Sequence, residues 1–139
     1  GRAADAWCLR CTKAEGLLGE DLAALPPEVR DFRVAVDAAL TIGRQHQPQQ
    51  FDALLAKSPH CLSFISRAHV QLEARGGAGL SIANVSSNPV YVEQEPLAKG
   101  ESRALLPEQT LSFARLEGGA HVLFLSLRVC GPGSELPQN

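Results

Sequence analysis

Serine, histidine and aspartate are the side chains of a hydrolytic triad, and Ser66, His69 and Asp37 supply all three types. Their setting argues against that chemistry. No G-x-S-x-G turn surrounds Ser66. On an extended chain, Ser66 and His69 stand three residues apart and point to opposite faces. Cys8 and Cys11 form a single C-x-x-C. A zinc site needs two more ligands at suitable spacing, and a redox pair needs a strand–helix junction. Cys8, Cys11, Cys61 and Cys130 are therefore read as free thiols. His46, His60 and His121 are scattered without ligand spacing. The H-E-x-x-H, phosphate-loop and dinucleotide-binding patterns are missing. Gly76-Gly77-Ala78-Gly79 lies between strand-like segments, where it cannot cradle a phosphate at a helix start. The chain is read as a non-enzyme with no catalytic residues, no metal and no cofactor.

What remains is a set of short polar groups: Gly43-Arg44, Ser66-Arg67-Ala68-His69 and Asn84-Val85-Ser86-Ser87-Asn88. Taken singly they are ordinary, an edge charge or a turn former. Their placement on elements matters more. Trp7, Leu9 and Cys11 alternate on one face of a first strand, and Phe32, Val34 and Val36 on a second. Asp37-Ala38-Ala39 turns into a third strand, Leu40 to Arg44. His69 to Ala74 places Val70 and Leu72 on one face. The glycines of Arg75 to Gly79 signal a hairpin whose return strand carries Leu80 and Ile82. Val90 and Val92 mark a short strand, and Leu111 and Phe113 another. Glu117-Gly118-Gly119-Ala120 is a second hairpin signal. It leads to the longest strand, with Leu123, Leu125, Leu127 and Val129 on one face. Gly16 to Arg30 holds a short helical turn ending before Pro26-Pro27. Gln49 to Lys57 holds one or two more, with Phe51, Leu54 and Leu55 at helical spacing. Those three pack down on the strands in the preferred reading, or form an extra partner surface in the other.

Many short strands with glycine-rich turns indicate an all-β sandwich of two mainly antiparallel sheets with short helical insertions in loops. The three polar groups all fall at strand ends. In order and spacing they resemble the forkhead-associated (FHA) family, whose signature is G-R, then S-x-x-H, then a small polar residue before N-G-T. Ile42-Gly43-Arg44, Phe64-Ile65-Ser66-Arg67-Ala68-His69 and Ser86-Ser87-Asn88 carry the likeness, which covers about residues 30–129. Asn88-Pro89-Val90 departs from it, because proline fixes φ and lacks an N–H.

The resemblance implies an FHA-type sandwich in which Trp7 to Cys11 pairs with the last strand. It also implies a phosphothreonine-binding interaction module. Such a phosphate carries about −1.5 to −2 charges and three strong acceptor oxygens. A guanidinium with hydroxyl donors suits it. Arg44 would supply charge, and Ser66 and Ser87 hydroxyls. Arg67 would meet the phosphate or an acidic residue downstream, and Asn88 would hold the ligand backbone. Gly43 and His69 would support the site from behind. Phosphothreonine is favoured in the family because its methyl fits a small apolar pocket. The alternative is an FHA-like scaffold that binds its partner without phosphate, with Pro89-Val90 as its sequence clue.

The remaining expectations are broad. Residues 1–130 form one domain, and 131–139 a flexible tail. A net charge of −2 with pI near 6.1 argues against nucleic acid. The sequence has no membrane span and no signal peptide. A monomeric intracellular domain, nuclear or cytoplasmic, is expected. Gly1 in a chain without methionine reads as a segment cut from a longer protein.

Overall fold

In the computed structural model, residues 6–75 and 79–133 are described. Ten strands are assigned among them. Strands β1 (Ala6–Ala14), β2 (Asp31–Ala35), β3 (Ala39–Ile42), β4 (Val70–Arg75) and β5 (Gly79–Asn84) come first. They are followed by β6 (Val90–Val92), β7 (Glu95–Leu97), β8 (Ser102–Leu105), β9 (Thr110–Glu117) and β10 (Ala120–Cys130). One sheet has the order β2-β1-β10-β9-β6-β7 and the other β3-β4-β5-β8. Every pairing is antiparallel. The all-β sandwich read from the alternation is therefore the fold, and the first strand does pair with the last.

Alternation builds the core. Leu9 and Cys11 of β1, Phe32 and Val34 of β2, and Phe113 of β9 are buried on one sheet. Ile42, Val70, Leu72, Leu80 and Ile82 are buried on the other. Each such side chain contributes about 1.5–3 kcal/mol when fully removed from water. Val36, expected to continue β2, is exposed beyond its end, where Asp37 takes a positive φ of 65° to turn the chain. In β10 a bulge between Leu123 and Leu125 shifts the register. Leu125, Leu127 and Val129 face the core as expected. Phe124 is buried as well, while Leu123 is only half-buried. An extra residue in one strand moves everything before it to the other face.

Two short helices, α1 (Gly19–Ala23) and α2 (Pro27–Arg30), fill the β1–β2 connection. The second begins at Pro27, where the missing N–H costs nothing, so the prolines start a helix instead of ending the helical region. Arg10 and Asp31 form a two-bonded ion pair across β1 and β2 at 2.8 and 3.0 Å. The long β3–β4 connection holds α3 (Pro48–Leu54) and a 3-10 helix (Pro59–Phe64). Phe51, Leu54 and Leu55 are fully buried. The Phe51 ring lies 5.5 Å from Phe32 and 6.3 Å from Phe113, so this insertion closes one end of the sandwich.

The tip of the β4–β5 hairpin, Gly76-Gly77-Ala78, lies outside the described residues, as does most of the expected tail, 134–139. Register places the start of β1 with the end of β10 at one end of the large sheet, and the β5–β6 loop at the other. Cys8 pairs with Cys130 at one end. At the other, Ala14 pairs with Leu125, Leu125 with Phe113 and Phe113 with Val90. No helix among the described residues is long and apolar enough to cross a membrane.

Candidate functional site

Gly43 follows β3 directly, and its lack of a side chain is a steric requirement. A Cβ there would fall 2.2 Å from the Arg67 carbonyl oxygen. The close approach lets two loops run side by side. The Arg44 amide donates to the Ser66 carbonyl at 3.0 Å, and the Gln45 amide to the Arg67 carbonyl at 3.1 Å. Gln47 braces the bend by accepting from the Gly43 amide at 3.0 Å and donating to the Thr41 carbonyl at 2.8 Å.

His69 immediately precedes β4 and is fully buried. Its Nδ1 accepts from the Ser66 amide at 3.2 Å. The ring hydrogen therefore sits on Nε2, which donates to the Asn88 carbonyl at 3.1 Å. The ring stands edge-on to Phe113 at 4.9 Å. Burial lowers its pKa to about 4, against weaker opposition from the backbone acceptors at Asn88 and Pro89. A neutral imidazole thus latches the Ser66 loop to the Asn88 loop. It bonds the Ser66 amide and leaves the hydroxyl alone, so no Ser–His nucleophile forms.

The β5–β6 loop is organised by Asn84. Its Oδ1 accepts from the Ser86 amide at 2.9 Å, and its Nδ2 donates to Leu97 and Asn88 carbonyls at 2.8 and 3.3 Å. The Ser86 hydroxyl accepts from the Asn88 amide at 2.9 Å and lies against the Ser66 hydroxyl. Asn88 Nδ2 donates to Ser66 Oγ at 2.9 Å. Either hydroxyl of this pair can donate to the other; in the arrangement where Ser86 donates, Ser66 keeps its own hydrogen for a ligand. A hydroxyl that accepts two hydrogen bonds is polarised into a stronger donor. Ser87, expected to provide the second hydroxyl, is exposed, and the hydroxyl that meets Ser66 is Ser86. Pro89 fits because this loop needs no glycine. Positive φ values among the described residues fall elsewhere, and the Asn88 carbonyl carries the bonds that hold the turn.

Arg44 and Arg67 are exposed and, with Gln45, line an open cleft. Arg44 Nε donates to the Ile65 carbonyl at 2.7 Å, which aims the guanidinium and leaves its terminal nitrogens available. Arg10, Arg33, Arg75, Arg103, Arg115 and Arg128 all pair with carboxylates, whereas Arg44 and Arg67 form no ion pair among the described residues. Two guanidiniums without ion pairs beside a pair of serine hydroxyls can bind a multiply charged anion. Of the expected set, Arg44, Ser66, Arg67 and Asn88 are brought together, with Gly43 and His69 beneath them. Ser86 and Asn84 stood in the third polar group without a role of their own, and Gln47 was not singled out from the sequence. An Asn-x-Ser pair two residues apart is a turn signal that could have pointed to the first two.

Neither a family model nor a curated protein matches the sequence. Solved structures do match. The FHA domain of a Chlamydia trachomatis protein aligns at TM-score 0.56 and 17% identity, over 90% of this chain and 96% of that one. The FHA domain of an Arabidopsis thaliana hypothetical protein aligns at TM-score 0.59 and 16% identity, over 99% and 94%. This chain has the FHA fold. The N-terminal FHA domain of a Saccharomyces cerevisiae protein, solved in complex with a phosphothreonine peptide, aligns at TM-score 0.54 and 15% identity, over 90% and 92%. On the FHA fold of this chain, the cleft residues lie in the β3–β4 connection, and Ser86 and Asn88 of the β5–β6 connection meet Ser66 beside them.

Proposed function

We propose that this domain binds phosphothreonine-containing segments of partner proteins through the Arg44–Arg67 cleft, as a monomeric interaction module and not an enzyme. The observation that carries this reading is the pair of exposed arginines without carboxylate partners among the described residues, next to the Ser66 and Ser86 hydroxyls. Arg44 supplies charge and directional N–H donors, Ser66 supplies its hydroxyl, and Arg67 reaches a second phosphate oxygen or a nearby acidic side chain. Asn88 keeps its Oδ1 and one amide hydrogen for the peptide backbone. Support also comes from an FHA-fold neighbour that holds a phosphothreonine peptide. Free cysteines suit a reducing, intracellular compartment, nuclear or cytoplasmic.

The test is titration of a phosphothreonine peptide library against phosphoserine and unphosphorylated counterparts, with the wild type and Arg44→Ala. A charge-assisted hydrogen bond contributes about 1.5–3 kcal/mol. Its loss should weaken binding about tenfold to a hundredfold with little change in stability, since Arg44 is exposed. Equal affinity for phosphorylated and unphosphorylated peptides would instead support a phosphate-independent scaffold.

A further inference from the structure

We propose that Glu15, His60 and Cys61 form a zinc-binding site that ties the end of β1 to the 3-10 helix. These residues come from two elements far apart in sequence, and none lines the Arg44–Arg67 cleft. His60 Nε2 lies 3.3 Å from Glu15 Oε2. Cys61 Sγ lies 3.5 Å from the same oxygen and 3.7 Å from His60 Nε2. Zinc bonds sulfur at about 2.3 Å, and nitrogen or oxygen at about 2.0–2.2 Å, in tetrahedral geometry. Those lengths and a tetrahedral angle give edges of about 3.4 Å between nitrogen and oxygen and about 3.6 Å for each pair with sulfur. The three donor atoms already trace one face of that tetrahedron.

Charge and surroundings agree with the geometry. A thiolate, a carboxylate and a neutral imidazole sum to −2, which balances a zinc dication; the Cys61 thiol proton leaves to solvent on binding. The second oxygen of Glu15 accepts from Arg115 Nε at 3.0 Å, and Arg115 is itself held by Glu117 at 2.7 Å. Such an outer contact orients a ligating carboxylate. Both ligand segments are fixed by backbone bonds, Glu15 amide to Phe124 carbonyl at 2.8 Å and Cys61 amide to Ser58 carbonyl at 3.0 Å. They are also packed together, because a Cβ on Gly16 would come within 2.7 Å of Lys57 Cβ. His60 is exposed, so water reaches the fourth position. Thiolate with imidazole selects zinc over magnesium or calcium, which favour oxygen ligands alone. The 3-10 helix ends at Phe64, and the chain passes through extended Ile65 directly to Ser66, so a bound ion anchors the segment that carries the hydroxyl.

The test uses the purified chain, stripped with a chelator and titrated with Co2+ as a spectroscopic probe, then with Zn2+ in competition. One equivalent of Co2+ should produce a thiolate-to-cobalt charge-transfer band and the strong visible bands of four-coordinate cobalt, and Zn2+ should abolish both. Cys61→Ser should lose the charge-transfer band, whereas Cys8→Ser and Cys130→Ser keep it. His60→Ala, at an exposed position that leaves folding unaffected, should weaken Zn2+ binding about tenfold or more. Zinc should raise the thermal midpoint of the wild type but not of His60→Ala. Absence of the band in the wild type, its survival in Cys61→Ser, or unchanged Zn2+ affinity in His60→Ala would overturn the site and leave a metal-free hydrogen-bond cluster.

Discussion

Acidification should unlatch the two loops through His69, by an amount set by its burial. The ring is fully buried and meets Phe113, the Ser66 amide and the Asn88 carbonyl. These hydrogen-bond partners are neutral and no charged group among the described residues bonds the ring; the folded pKa lies near 4 against 6.5 for an ordinary histidine. The unfolded chain therefore binds a proton in the window from 6.5 down to about 4 while the folded chain does not. Stability from this group is complete above 6.5 and is lost as pH falls through the window, at about 1.4 kcal/mol per pH unit. The whole window accounts for about 3 kcal/mol, a large share of the roughly 5–15 kcal/mol of a typical domain. The mechanism is local, because a proton on Nδ1 replaces an acceptor with a donor facing the Ser66 N–H. The assay is urea denaturation of the wild type and His69→Gln at pH 7.5 and 4.5. Carboxylates also titrate in this range but contribute alike to both proteins. Glu15 is pushed up by burial but held net below its usual range by Arg115, so it titrates mostly below this window. The stability gap between the two proteins should narrow by about 2–3 kcal/mol on acidification. A gap that stays constant across the two pH values would refute the reasoning.

Two further outcomes test the site's framework. Gly43→Ala should destabilise the domain by about 1–3 kcal/mol or more, because its Cβ meets the Arg67 carbonyl and not a movable side-chain tip. Phosphopeptide affinity should fall with it, read by denaturation and by titration. Asn88→Ala removes the donor to Ser66 Oγ and a candidate contact to the peptide backbone. It should weaken phosphopeptide binding about tenfold, as for one lost hydrogen bond of about 1 kcal/mol or slightly more. Unchanged affinity in that variant would show that Asn88 does not face the ligand.

The fold was legible wherever alternation ran long enough. In β1, β4 and β5, apolar residues at every second position found the core. It failed where strands are short or carry a single inward residue. Glu95-Pro96-Leu97 contains a proline, and Ser102 to Leu105 offers only Leu105 to the interior, so β7 and β8 leave little periodic trace. The bulge in β10 was equally hidden, because period-two reading assumes an unbroken register and Phe124 violates it. Within the cleft, Gly43, Arg44, Ser66, Arg67, His69 and Asn88 could be named because they sit at strand ends in a recognisable order. The choice between Ser86 and Ser87 could not be made, since it depends on how the Asn84 side chain turns the backbone. Glu15, His60 and Cys61 were illegible for another reason: the adjacent His-Cys pair is visible, but its third partner lies on another element.

The antiparallel pairing of β1 with β10 has a practical consequence. Cys8 and Cys130 mark the end of the large sheet away from the β5–β6 loop, about 20 Å along the strands at roughly 3.3 Å per residue. A linker or fluorophore attached at Cys130, which is half-buried, would sit at the pole opposite the Arg44–Arg67 cleft. Immobilised that way on a bead or sensor surface, the domain would show its arginines to the solution.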